Sequence, residues 1–109
     1  MISLSCAQIN TILAGTLSGP DQQVTSVSTD SRAIVAGALF IALKGPNFDG
    51  AAFVADVKAK GAVAVVLEQP VADDITQIIV PDTRLALGQL AAAVKARLAP
   101  SRWQALAMP

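Results

Sequence analysis

The 109-residue sequence has no histidine, no tyrosine, one cysteine and one tryptophan, and aromatic residues make up only 4% of it. Without imidazole there is no histidine general base and no histidine-containing zinc set. The lone Cys6 cannot close an internal disulfide, and with no histidine to activate it, it reads as a structural residue. Eight basic and eight acidic residues cancel, so no broad field steers the chain toward nucleic acid or an anionic membrane, and an anionic ligand must be held locally. The start carries no basic segment followed by an apolar run, and no stretch approaches the roughly 20 apolar residues of a membrane span. These absences point to a soluble chain in a reducing, cytoplasmic setting with neither nucleic acid nor membrane as partner; a monomer is expected, although nothing in the sequence decides the oligomeric state.

What is present is aliphatic. Hydrophobic residues make up 53% of the chain, chiefly Ala, Val, Ile and Leu, the usual material of a small α/β core. The length suits one domain with its own core. Ser5 with Gln8 reads as a capping box opening a helix over 6–14, with Ile9, Ile12 and Leu13 on one face and Gly15 ending it. A turn over 19–23 leads to an alternating strand over 24–28, then a loop over 29–37. "ALFIAL", residues 38–43, suits a strand buried on both faces. Asp49 reads as the N-cap of a helix reaching Lys58, with Phe53 and Val57 facing inward and Gly61 closing it. Strands over 62–68 and 76–80 follow, and Asp82 caps a helix running to about 99 whose apolar stripe is Leu87, Leu90, Ala91, Val94 and Leu98. Helices alternating with buried strands predict an α/β three-layer sandwich: a small mixed, mostly parallel sheet with helices on both faces.

No GxxxxGK[ST] and no GxGxxG occurs, which excludes a phosphate-cradling loop in this chain. Asp73 and Asp74, adjacent in a turn, read as solvated charges with no assigned role. The remaining candidates are two polar loops, "STDSR" and "KGPNFDG", with "PDTR" as a third. In open α/β sheets ligands gather outside strand ends. The first two loops flank a single strand, which places them at its opposite ends unless the first curls back. Thr29 and Ser31 offer hydroxyls for a phosphate or sugar, or simply cap the loop. Asn47 presents a donor and an acceptor that match the edge of uracil, and Phe48 either stacks on a base or fills the core. Asp30 and Arg32 pair with each other or with Arg84, bracing the loop. Thr83 and Arg84 stand in the opening turn of the last helix.

Taken together, "VSTDSRAIVAGALFIALKGPNFDGAAFVADVKAKGAVAVV" and "VPDTRLALGQLA" resemble the N-terminal domain of the MurF-type Mur ligases. The TDSR loop, the LFxALKG strand, the FDG turn and the DTR helix start carry the resemblance, which runs from residue 1 to about 98. It implies that residues 1–99 anchor the uridine diphosphate end of a UDP-N-acetylmuramoyl-peptide and that 100–109 open a linker to an ATP-binding central domain. ATP and Mg2+ would belong to that central domain of the full-length ligase, whose glycine-rich TGxxGKT loop would follow Pro109. In the sister MurE-type family the positions of Thr29, Ser31, Pro46, Asn47 and Phe48 contact the nucleotide precursor. That family carries His-Gln-Ala where this chain has Pro46-Asn47-Phe48, so backbone contacts carry over better than side-chain ones. The alternatives are the same domain of a MurE-type ligase, or a free-standing module that binds a nucleotide sugar or a partner protein.

Overall fold

The computed structural model describes residues 4–45 and 48–98, with the backbone alone at 44–45, 48–49 and 94–98. In chain order the elements are β1 (Leu4–Ser5), α1 (Cys6–Leu13), β2 (Thr16–Ser18), β3 (Gln23–Val24), β4 (Ser26–Ser28), a 3-10 turn (Ser31–Ala33), β5 (Ala38–Ile41), β6 (Lys44–Gly45), β7 (Phe48–Asp49), a second 3-10 turn (Gly50–Phe53), α2 (Val54–Ala59), β8 (Ala64–Leu67), β9 (Thr76–Ile79) and α3 (Thr83–Leu98).

The capping box of α1 is formed as its sequence dictates. Ser5 Oγ accepts from the Gln8 amide at 3.2 Å, and Gln8 Oε1 accepts from the Ser5 amide at 2.8 Å. Two further amides of the first turn are satisfied by the turn after β2: Ala7 donates to Asp21 Oδ1 at 3.0 Å and Cys6 to Gln22 O at 2.8 Å, so the local cap is completed by tertiary contacts. Cys6, Ile9 and Leu13 form the buried stripe, while Ile12 is only partly buried. The left-handed residue that ends the helix is Ala14, with φ of 54°, one position before the glycine expected to do so.

Five strands form one sheet in the order β2-β9-β8-β5-β4. β4, β5, β8 and β9 run parallel, and β2 pairs antiparallel to β9 at the far edge. Alternation along the central strands divides the core between two faces. Leu39, Ile41, Ala64, Val66, Ile78 and Val80 pack with Ile9, Leu13, Ala86 and Leu90 beneath α1 and α3. Ala38, Phe40, Ala42, Val65 and Leu67 pack with Val54 and Val57 of α2 and with Ile34 on the other face. This is the expected three-layer α/β sandwich. Among the described residues no helix is long and apolar enough to cross a membrane.

Several local expectations are corrected. The strand over 24–28 is broken at Thr25, whose amide donates to Gly37 O at 3.0 Å. Its first part pairs with β1, and only Ser26–Ser28 joins the main sheet. β2 was not foreseen, because three residues with one half-buried side chain carry no usable period. Asp49 does not cap the second helix: it lies in β7, a 3-10 turn intervenes, and α2 starts after Phe53 with no side-chain cap. That turn shifts the helical phase, so Val54 and Val57 are buried and Phe53, expected inside, is 46% exposed. In α3 the Asp82 cap holds, with Oδ1 accepting from the Arg84 and Leu85 amides at 2.9 and 3.2 Å. Its inner stripe is Thr83, Ala86 and Leu90, with Leu87 partly buried. Ala91 faces solvent, and the side chains of Val94 and Leu98 lie outside the described residues.

Candidate functional site

Parallel pairing decides where the polar loops lie. Ser28 at the end of β4 is level with Phe40 of β5, and both strands run toward the same edge. The loop after β4 and the loop after β5 therefore leave the sheet side by side, which is the alternative left open by the sequence, with the first loop curling back along β5. Residues 29–37 then carry the chain back to the start of β5. The starts of the segments after β8 and β9, with Glu68 and Asp82, reach the same edge, where the carboxyl ends of parallel strands meet and ligands of open α/β sheets bind.

The first loop is braced by its own polar residues. Ser28 Oγ accepts from the Asp30 amide at 3.0 Å and donates to Asp30 O at 3.2 Å. Asp30 Oδ1 caps the 3-10 turn by accepting from the Arg32 amide at 2.9 Å. The same carboxylate meets the Arg32 guanidinium in a two-pronged pair, Nε to Oδ1 and Nη2 to Oδ2, both at 3.1 Å. These hydrogen bonds hold the Asp30 carboxyl below the ordinary carboxylate range and raise Arg32. Asp30 thus pairs with Arg32 and not with Arg84, and the bracing role expected for it is observed. The capping is done by Ser28 and Asp30. Thr29 is exposed and Ser31 half-exposed, and neither hydroxyl has a hydrogen-bond partner among the described residues.

The second loop is a small antiparallel hairpin in which Lys44 pairs with Asp49 and Gly45 with Phe48. Its base is closed by the Gly50 amide, which donates to Leu43 O at 2.8 Å. Pro46 and Asn47, and the Phe48 side chain, for which stacking on a base and core packing were both expected, lie outside the described residues.

The third candidate, "PDTR", is occupied internally. Glu68, leaving β8, places Oε2 3.0 Å from both the Thr83 amide and Thr83 Oγ1, and Asp82 takes the next two amides. Two carboxylates fill the positive end of α3, so this helix start is not open to a ligand anion. Glu68 and Lys60, whose ammonium donates to Ser31 O at 2.9 Å, were not picked out from the sequence. Their partners are 15 and 29 residues away, and no local pattern marks either. Burial pushes the Cys6 thiol up, in keeping with an inert core residue.

A cavity of about 500 Å³ opens at the opposite edge of the sheet, lined among others by Ser18, Lys58, Ala62, Asp73 and Thr76. Its buried polar groups are already used: Thr76 Oγ1 donates to Pro20 O at 2.6 Å, and the Gln77 amide bonds Val71 and Asp73. It lies at the starts of β8 and β9, whereas the loops after β4 and β5 leave from the strand ends. Among the described residues no three His, Cys, Asp or Glu side chains are grouped to hold a metal ion.

A family model described as "Mur ligase family, catalytic domain" matches residues 23–95. The chain belongs to the Mur ligase family. The matched stretch contains no GxxxxGK[ST] loop, so within this Mur ligase chain the description's catalytic label has no phosphate cradle behind it. A curated relative, the UDP-N-acetylmuramoyl-tripeptide--D-alanyl-D-alanine ligase of Escherichia coli, is 45% identical over 97% of this chain and 23% of its own length. The UDP-N-acetylmuramoyl-L-alanyl-D-glutamate--2,6-diaminopimelate ligase of Aquifex aeolicus is 43% identical over 64% of this chain and 14% of its own. Among solved structures, a MurF from Acinetobacter baumannii superposes with a TM-score of 0.77 at 38% identity, over 84% of this chain and 21% of that one. The Mur ligase chain thus spans about a quarter or less of the relatives it matches.

Proposed function

We propose that residues 1–99 anchor the uridine diphosphate end of UDP-N-acetylmuramoyl-tripeptide in a ligase that adds D-alanyl-D-alanine to it, with 100–109 opening a linker to the catalytic parts. The observation that carries this reading is the likeness to the E. coli ligase along 97% of the chain. The diaminopimelate-adding ligase matches a shorter share, which favours the D-alanyl-D-alanine-adding type. The setting is cytoplasmic, and the domain acts as a monomer.

Thr29 and Ser31 supply two hydroxyls that have no partner among the described residues, on the loop that leaves the sheet beside the hairpin spanning Pro46, Asn47 and Phe48. These five residues are the proposed contacts. The hydroxyls suit ribose or phosphate oxygens, and the hairpin's backbone suits the donor and acceptor edge of uracil. ATP and Mg2+, which the family resemblance implies for the complete ligase, do not fit the residues here: the sequence has no phosphate loop and the described residues no acidic or cysteine cluster. No chemical step is therefore assigned to this chain. Its contribution is to fix one end of a long substrate, so that binding energy gained far from the reacting carboxyl is used to orient it.

Calorimetric titration of the chain with UDP-N-acetylmuramoyl-tripeptide tests this. Binding is expected, with UDP displacing the precursor competitively. Binding of the precursor that UDP cannot displace, or no binding of either at millimolar concentration, contradicts the reading.

A further inference from the structure

The loop that carries Thr29 and Ser31 is tied to the end of α2. Lys60 Nζ donates to Ser31 O at 2.9 Å while pairing with Asp56 Oδ2 at 3.2 Å. One residue on, Gly61 O accepts from the Gly37 amide at 3.0 Å. Gly61 has φ of +108°, and a Cβ there would sit 2.9 Å from Ala36 Cα, so the helix end and residues 36–37 are in backbone contact. The other end of α2 continues from the hairpin through Gly50–Phe53. A helix of 6 residues, buried through Val54 and Val57, is thus the rigid piece between the two loops.

We propose that Lys60 is a positioning residue for the ligand: by holding the Ser31 carbonyl it fixes the peptide plane between Ser31 and Arg32 and sets the Thr29 and Ser31 hydroxyls relative to the hairpin. This rests on the proposed function of the same loops. The ammonium is the cation on Ser31 O, and the neighbouring charges are already balanced, Arg32 by Asp30 and Lys60 by Asp56. Removing it leaves the fold intact, because the side chain is 38% exposed and the Gly37 to Gly61 hydrogen bond remains. It releases only the 31–33 turn, and a loop that spends most of its time out of the binding geometry weakens every ligand in proportion.

The test compares uridine and UDP binding to the unaltered chain, Lys60→Met and Lys60→Arg, with unfolding curves for each. Lys60→Met is expected to weaken uridine and UDP alike, by about 5–10-fold for a loop competent about 10–20% of the time. Arginine, which donates to the same carbonyl, should restore most of the affinity, and all three chains should unfold at similar temperatures. Unchanged binding in Lys60→Met overturns the proposal. So does a loss confined to UDP, which would mean that the ammonium meets the phosphates directly, or a loss that arginine does not restore. If the unaltered chain binds neither ligand, the anchoring function itself fails and the proposal falls with it.

Discussion

Phe40→Ala is expected to lower the unfolding free energy by about 3–5 kcal/mol. Phe40 is 2% exposed and is, among the described residues, the largest of the fully buried side chains. It lies on β5, between β4 and β8, and packs toward Val54, Val57 and Val65 on the α2 face. Truncation leaves a cavity that rigid neighbouring strands cannot close. A domain of this size has about 5–15 kcal/mol in total, so the midpoint should fall by on the order of 15–30 °C. Phe53→Ala provides the contrast. Its 46% exposure predicts a change within about 1 kcal/mol. Thermal and urea unfolding followed by circular dichroism measures both. Similar losses for the two would contradict the placement of Phe53 before, rather than within, the buried face of α2.

Gly50→Ala is expected to destabilise by about 2–3 kcal/mol and to weaken UDP binding at least tenfold. A Cβ on Gly50 would lie 2.8 Å from Ala42 Cα, 2.9 Å from Ala42 C and 2.9 Å from Leu43 O. All three are backbone atoms at the end of β5, so no rotamer change relieves the contact, and the strand end or the loop must move. What moves is the base of the hairpin, closed by the Gly50 to Leu43 hydrogen bond. Gly88→Ala is the control: nothing lies within 4 Å of its added Cβ, and alanine in an exposed helical position should stabilise by up to about 1 kcal/mol. Urea unfolding with UDP titration of both variants separates a steric effect from a general intolerance of glycine replacement.

Much of the architecture was legible in the sequence where signals were local. The Ser5–Gln8 box, the Asp82 cap and the continuous apolar runs "ALFI" and "AVVL" depend on neighbours within a few positions, and each was read correctly. The phase of α2 was lost because a 3-10 turn between Asp49 and Val54 breaks the 3.6-residue count that put Phe53 inside. The edge strand Thr16–Ser18 is too short to show alternation.

For the proposed site, residue types singled out the two loops, but strand direction could not be read from them. Nothing in "STDSR" reveals that β4 runs parallel to β5, and that pairing alone brings the loop beside the hairpin. Lys60 and Glu68 were missed for the same reason: their roles come from contacts across the fold. A lysine in the last turn of a helix otherwise reads only as a complement to its dipole.

The most direct test of the account is where UDP touches this chain. Backbone amide shifts should be followed as UDP is added to the 15N-labelled protein. Perturbation is expected in both the Thr29 to Ser31 and Gly45 to Asp49 amides, with the Asp73 to Thr76 amides of the cavity at the opposite edge unchanged. Perturbation of that cavity alone, or none in either loop at millimolar UDP, would contradict it.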